Sequence, residues 1–159
     1  MKPSEQKETM GDLRVFMEMC RDGDIDGVEA AIDNGADVNE ADGFGVTGLM
    51  YALEESHNNV VQLLLQHPLI DINKVDRDGW SALHYAVVRD NHEGLAALLA
   101  RHDELTTSIN QRNRRLGRSP IMIAVSFNKV NCFHLLLTHP LVDLDTRDNH
   151  QRTPQEVRG

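Results

Sequence analysis

The chain has 159 residues, 40% of them hydrophobic and 4% aromatic, and a formal net charge of −9. That length suits one domain with an aliphatic core, and the acidic total argues against general nucleic-acid binding. No apolar run reaches the roughly 18–20 residues of a membrane span, and the two distant cysteines, Cys20 and Cys132, offer neither a CxxC metal site nor a redox pair.

In chain order, M-K-P-S-E-Q-K-E-T-M lacks an apolar core, so residues 1–11 are expected to be a disordered or expression-derived lead-in rather than a signal peptide. D-L-R-V-F-M-E-M-C-R-D (12–22) predicts a capping helix, and Val28 to Ile32 followed by G-A-D-V-N (35–39) reads as the second half of a repeated unit. The unit then recurs. T-G-L-M-Y-A (47–52), S-A-L-H-Y-A (81–86), S-P-I-M-I-A (119–124) and T-P-Q-E-V-R (153–158) start at spacings of 34, 38 and 34 residues. The first three are followed by an apolar helical pattern, at Val60 to Leu65, Leu95 to Leu99 and Phe133 to Leu137, and then by closing strings I-D-I-N, S-I-N and V-D-L-D. Ser81 stands where an N-cap would accept from orphan backbone donors, and Gly79 where the preceding turn calls for positive φ.

These phased strings resemble the ankyrin repeat, whose period is about 33 residues with a T-P-L-H-x-A signature. The shared pattern is D-x-x-G-x-[ST]-x-[LI]-x-x-A, carried by Asp42, Gly45, Thr47, Leu49 and Ala52, and again by Asp76, Gly79, Ser81, Leu83 and Ala86. A third occurrence has Gly117, Ser119, Ile121 and Ala124, with Arg114 where Asp is expected. The resemblance covers about residue 12 to the C-terminus. It implies an all-α solenoid of helix-turn-helix units with hairpin-like connections, in repeats of about 12–41, 42–75, 76–113 and 114–147 plus a partial 148–159. Such a unit cannot bury its apolar face alone, so neighbouring repeats supply a continuous core. Gly48, near the start of one inner helix, predicts a locally weaker helix. The four extra residues before the third occurrence are expected in a loop within 101–113, and the partial last unit predicts a fragment of a longer protein.

No catalytic motif accompanies the repeats, so no enzyme activity is expected. Histidines that recur with the repeat lie about 10 Å apart, too far to share one metal. His84 is expected to bond neighbouring hairpin backbone, and Asp71 and Asp143 to shape turns. No cofactor is implied. The resemblance instead implies a concave partner-binding face. It places there Phe44, Val46, Glu54 and Glu55, then Arg77, Asp78, Trp80, Val88 and Arg89, then Arg115, Leu116, Arg118, Ser126 and Phe127.

Arg112, Arg114, Arg115 and Arg118 crowd one predicted tip, a pattern suited to a protein or peptide with an acidic or phosphorylated segment. Residues 1–80 hold 6 basic and 17 acidic side chains, a net of −11, whereas residues 81–159 hold 10 and 8, a net of +2. An elongated array would therefore be electrically polar. The resemblance further implies hydroxylation at Asn73, and the reduced cysteines suit the cytoplasm or nucleus. The expected function is non-enzymatic protein binding by a monomer, with neither nucleic acid nor membrane insertion. The alternative is a regulatory or scaffolding element packed in cis against another domain.

Overall fold

The computed structural model describes residues 9–101, 103–105 and 107–157, with side chains of the first helix from Val15 onward. The lead-in expected over 1–11 falls largely outside these residues, and α1 (Thr9–Asp22) already includes its last three positions. The chain continues through α2 (Ile25–Asp33), α3 (Gly48–Glu54), α4 (Asn58–Gln66), α5 (Ala82–Val88), α6 (His92–Leu99), a 3-10 turn (Ser108–Asn110), α7 (Pro120–Ser126) and α8 (Val130–Leu137). Among the described residues the only β pairing is two isolated bridges, Ala41 with Thr47 and Val75 with Ser81.

The helices stack in two layers. The inner layer runs α1, α3, α5, α7, and the outer layer α2, α4, α6, α8, each helix packing on its predecessor in the same layer. The predicted all-α solenoid is therefore the observed architecture. Ala52, Ala86 and Ala124 are buried, as are Leu49, Leu83 and Ile121, each one helical turn earlier. Small residues let the inner helices approach closely, and the outer leucines Leu64, Leu98 and Leu136 close the other side.

Gly48 has a packing reason that propensity hides. A Cβ there would lie 2.8 Å from Cys20 Sγ and 3.1 Å from the Phe16 ring. The glycine admits α1 against α3, and its helix is capped in compensation by Thr47, whose Oγ1 accepts from Met50 N–H at 3.3 Å.

Asparagines fasten one repeat to the next along the opposite edge. Asn39 donates to Leu69 O at 2.5 Å and accepts from Asp71 N–H at 2.7 Å. Asn73 donates to Glu104 O at 2.5 Å and accepts from Ser108 N–H at 3.2 Å, and Asn110 donates to Leu141 O at 2.7 Å and accepts from Asp143 N–H at 2.8 Å. Asp71 and Asp143 hold the turns as expected, each accepting from the backbone two residues on.

Two sequence expectations need correction. The extra residues do not all fall in the loop. Asp42 to Asp76 spans 34 positions and Asp76 to Asn113 spans 37, so three extra residues precede the tip. The fourth lengthens the tip itself, where Asn113 N–H bonds Arg118 O five residues on, against four for Asp76 N–H to Trp80 O. Asn113, not Arg114, is therefore the counterpart of Asp76. The second correction concerns the last unit. Thr153 to Val157 makes a single turn, closed by Val157 N–H to Thr153 O at 3.2 Å, and is not a helix among the described residues.

Candidate functional site

Each hairpin tip is built on one side chain. Asp76 Oδ1 accepts from Asp78 N–H at 2.9 Å and Trp80 N–H at 2.8 Å, while Oδ2 accepts from Tyr85 OH at 2.8 Å. Asp42 repeats this with Phe44, Val46 and Tyr51. Burial works against ionisation of Asp42, but these bonds outweigh it and hold its carboxyl below the usual range. Gly79, at φ +76°, turns the chain back toward α5. Successive tips are joined edge to edge by Arg77 N–H to Phe44 O at 2.9 Å, Arg114 N–H to Asp78 O at 2.7 Å and Asn149 N–H to Leu116 O at 2.9 Å.

Beneath the central tip, His84 is fully buried and bridges two repeats. Ser81 N–H donates to its Nδ1 at 3.1 Å, so Nε2 carries the proton and donates to Arg118 O at 3.0 Å. This is the bond to neighbouring hairpin backbone that the sequence predicts. Burial pushes the imidazole pKa down to about 4 against the pull of that bond and of Asp76, so the ring is neutral at physiological pH.

Between the tips and the inner helices runs a groove of about 570 Å³ lined by Glu54, Asp76, Asp78, Trp80, Tyr85, Val88, Arg114 and Arg115. Its apolar part is Trp80, Tyr85 and Val88, all half-buried. Trp80 stands 5.4 Å from the His84 ring and 6.2 Å from Tyr85, edge-on to the latter. The indole is thus braced from behind and open toward the groove. Arg89 crosses one end, with Nη2 3.4 Å from Glu54 and 3.9 Å from Glu55. At the other end Arg114 and Arg115 are exposed, and neither guanidinium forms an ion pair or hydrogen bond among the described residues. The Asp78 carboxylate is likewise exposed and unpaired among the described residues.

A family model for three copies of the ankyrin repeat matches residues 16–113, and one for a single ankyrin repeat matches residues 116–149. The chain belongs to the ankyrin repeat family. It is 27% identical to human (Homo sapiens) Rabankyrin-5 over 80% of its own length and 11% of that protein. It is 30% identical to chicken (Gallus gallus) Inversin over 72% of its length and 10% of Inversin, and 27% identical to the mouse (Mus musculus) nuclear factor NF-kappa-B p105 subunit over 77% and 12%. The chain thus spans about a tenth of these curated relatives. Ankyrin repeats are generally protein-protein interaction modules on a non-enzymatic fold.

Within this ankyrin array the predicted face residues meet different fates. Phe44 and Phe127 are exposed at 73% and 57%, and Arg77 is exposed on its tip. Val46 is instead buried, because the Asp42 turn folds it into the core.

The arginine cluster divides. Arg112 donates from Nε to Gly117 O at 2.8 Å and from Nη2 to Asn149 Oδ1 at 3.2 Å, bracing the lengthened tip. Arg118 is 13% exposed, donates to Ser126 Oγ at 2.8 Å and lies 3.7 Å from the buried Asp148 carboxylate, which Arg152 also holds at 2.9 Å. Only Arg114 and Arg115 of the four line the groove.

Asn73, the predicted modification position, has both amide atoms engaged with the next repeat. Sequence reasoning missed Tyr85 as a groove residue. Its signal was available: Tyr51 and Tyr85 each follow their tip aspartate by nine positions, and Ile123 breaks the series.

Proposed function

We propose that the array is a non-enzymatic interaction module that holds a protein or peptide partner in its concave groove, with an acidic or phosphorylated segment against Arg114 and Arg115. One observation carries this reading: two exposed guanidiniums, without side-chain partners among the described residues, stand beside a braced, open tryptophan. Trp and Arg are the side chains most often dominant in interfaces, and an unpaired guanidinium presents a planar fork to carboxylate or phosphate. The reading takes residues 12–159 as one domain, acting as a monomer in the cytoplasm or nucleus without nucleic acid. Asn73 remains the proposed hydroxylation position, checked by mass spectrometry of protein from cells that hold an asparaginyl hydroxylase.

The test is affinity capture from cell lysate with quantitative mass spectrometry. Trp80→Ala and Arg115→Glu should lose partners that the wild type retains, while Gln62→Glu on the outer helix α4 should keep them. Equal capture by all four proteins overturns the reading.

A second reading, packing in cis against another domain of a longer protein, is favoured by a separate feature. Val125, Phe133, Leu137, Leu144 and Pro154 line a largely apolar groove of about 420 Å³ at the C-terminal end. At the equivalent positions one repeat earlier, Val87, Leu95 and Ile109 are buried by the following repeat. Val125→Glu would discriminate between the two readings, because it should leave concave-face capture intact.

A further inference from the structure

We infer that the concave groove selects an extended peptide of mixed charge: an apolar side chain over Trp80 and Val88, a basic residue toward Asp78, and an acidic residue toward Arg114 and Arg115. The inference rests on the groove being the partner site and adds the order of charges its occupant must carry.

The order follows from the stacking of the repeats. Glu54 and Glu55 close α3, Asp78 stands on the next tip, and Arg114 and Arg115 stand on the tip after that, joined to it by the bond from Arg114 N–H to Asp78 O. At the end of α3 Arg89 already pairs with Glu54 and Glu55, so the groove-lining carboxylate left unpaired among the described residues is Asp78, on the tip next to that of Arg114 and Arg115, with Trp80, Tyr85 and Val88 lining the groove beside them. Asp76 does not change this balance at the surface. Its carboxylate is buried and fully engaged by two backbone N–H groups and the Tyr85 hydroxyl. Arg77 shares a tip with Asp78 but is not among the groove-lining residues.

A uniformly acidic peptide would meet Asp78 as well as the −11 net charge of residues 1–80. A uniformly basic one would meet Arg114 and Arg115. Only a peptide whose charges change sign along its length satisfies both ends, and the polarity of the whole chain orients it in the same sense.

Spacing completes the description. Packed helices lie about 10 Å apart, and an extended chain rises about 3.3 Å per residue. One repeat step, from the Asp78 tip to the tip of Arg114 and Arg115, thus corresponds to at most about three peptide residues. The basic and acidic residues of the occupant should stand within about three positions of each other, with the apolar residue next to them.

The experiment is selection of a phage-displayed library of random linear twelve-residue peptides on the immobilised protein. Fluorescence anisotropy then follows with the most enriched peptide, synthesised and labelled. Enriched sequences should carry that charge order and spacing. The variant carrying Arg114→Glu and Arg115→Glu, whose melting temperature should match wild type, should weaken the selected peptide by about tenfold or more. Adding Asp78→Arg should restore binding to a peptide with its two charges exchanged. Enrichment without a charge order, or an affinity unchanged by both arginine reversals, overturns this inference and leaves the groove as the partner site. No enrichment, or peptides indifferent to Trp80→Ala and Val88→Glu, overturns the groove reading and this inference together.

Discussion

The central tip at Asp76 and the last tip at Asp148 share one backbone plan and differ in what completes it. At the first, the second carboxylate oxygen takes a proton donor from Tyr85 and the turn is made by Gly79. At the last, the same oxygen takes two donors from Arg152 and lies near Arg118, and the turn is made by Gln151 at φ +63°. A carboxylate that accepts two backbone N–H groups is the fixed part, and the third partner is exchangeable. The central tip completes itself with a neutral hydroxyl, and among the described residues no arginine side chain is drawn into it. The last tip consumes two arginines in its own construction.

Substitutions at the two tips should separate these designs. The largest effect is expected for Gly79→Val. The added Cβ would stand 3.1 Å from Arg114 Cγ and 3.3 Å from Arg112 O at a backbone conformation that β-branched residues avoid. A loss of about 3 kcal/mol should appear in urea unfolding, and a loss below about 0.5 kcal/mol would mean that the tip relaxes freely.

Acid should then weaken the centre before the end. The His84 pKa is lowered to about 4 from an ordinary 6.5. The unfolded chain therefore takes up a proton first, and stability falls as pH drops from about 6.5 to about 4, by roughly 3 kcal/mol in total. Met50 and Met122 hold the equivalent place in the flanking repeats, so His84→Met should flatten the melting temperature over that window. An unchanged slope would assign the acid sensitivity elsewhere.

Asp148 behaves oppositely in origin. Burial resists its ionisation, yet N–H and guanidinium donors from Arg152, with the His150 N–H, hold its pKa down to about 2 from 3.8. Its contribution is present above pH 3.8 and disappears as pH falls toward 2, a separate step that Asp148→Asn should remove.

The smallest effect is a gain. Gln151→Gly relieves a left-handed residue and should stabilise by about 0.5–1 kcal/mol, read as a rise in the denaturation midpoint. A fall would show that Gln151 makes contacts worth more than its strain.

Much of this was legible from the repeat. The N-cap at Ser81, positive φ at Gly79, turn roles for Asp71 and Asp143, and the reach of His84 to the next tip all follow from residue type and phase. Failures came where a partner lies a repeat or more away. Arg112 and Arg118 resemble Arg114 and Arg115 in sequence, but Asn149 and Asp148 decide their roles from 30 or more positions downstream. Gly48 looked like a weak helix former because Phe16 and Cys20, which need its missing side chain, lie outside any local window. Asn113 escaped notice because one inserted residue shifted it out of phase with Asp76.

The asparagine fastenings have a mechanical meaning. Asn39, Asn73 and Asn110 each grip the following repeat with one donated and at least one accepted bond along the same edge, so tension along the array loads the three grips in series. A chain of links in series yields at its weakest member. The Asn73 joint holds one bond more than the other two, because the Thr107 hydroxyl also donates to Asn73 Oδ1 at 3.4 Å. Stretched from its ends, the molecule should yield at a two-bond grip, Asn39 or Asn110, before it parts at Asn73.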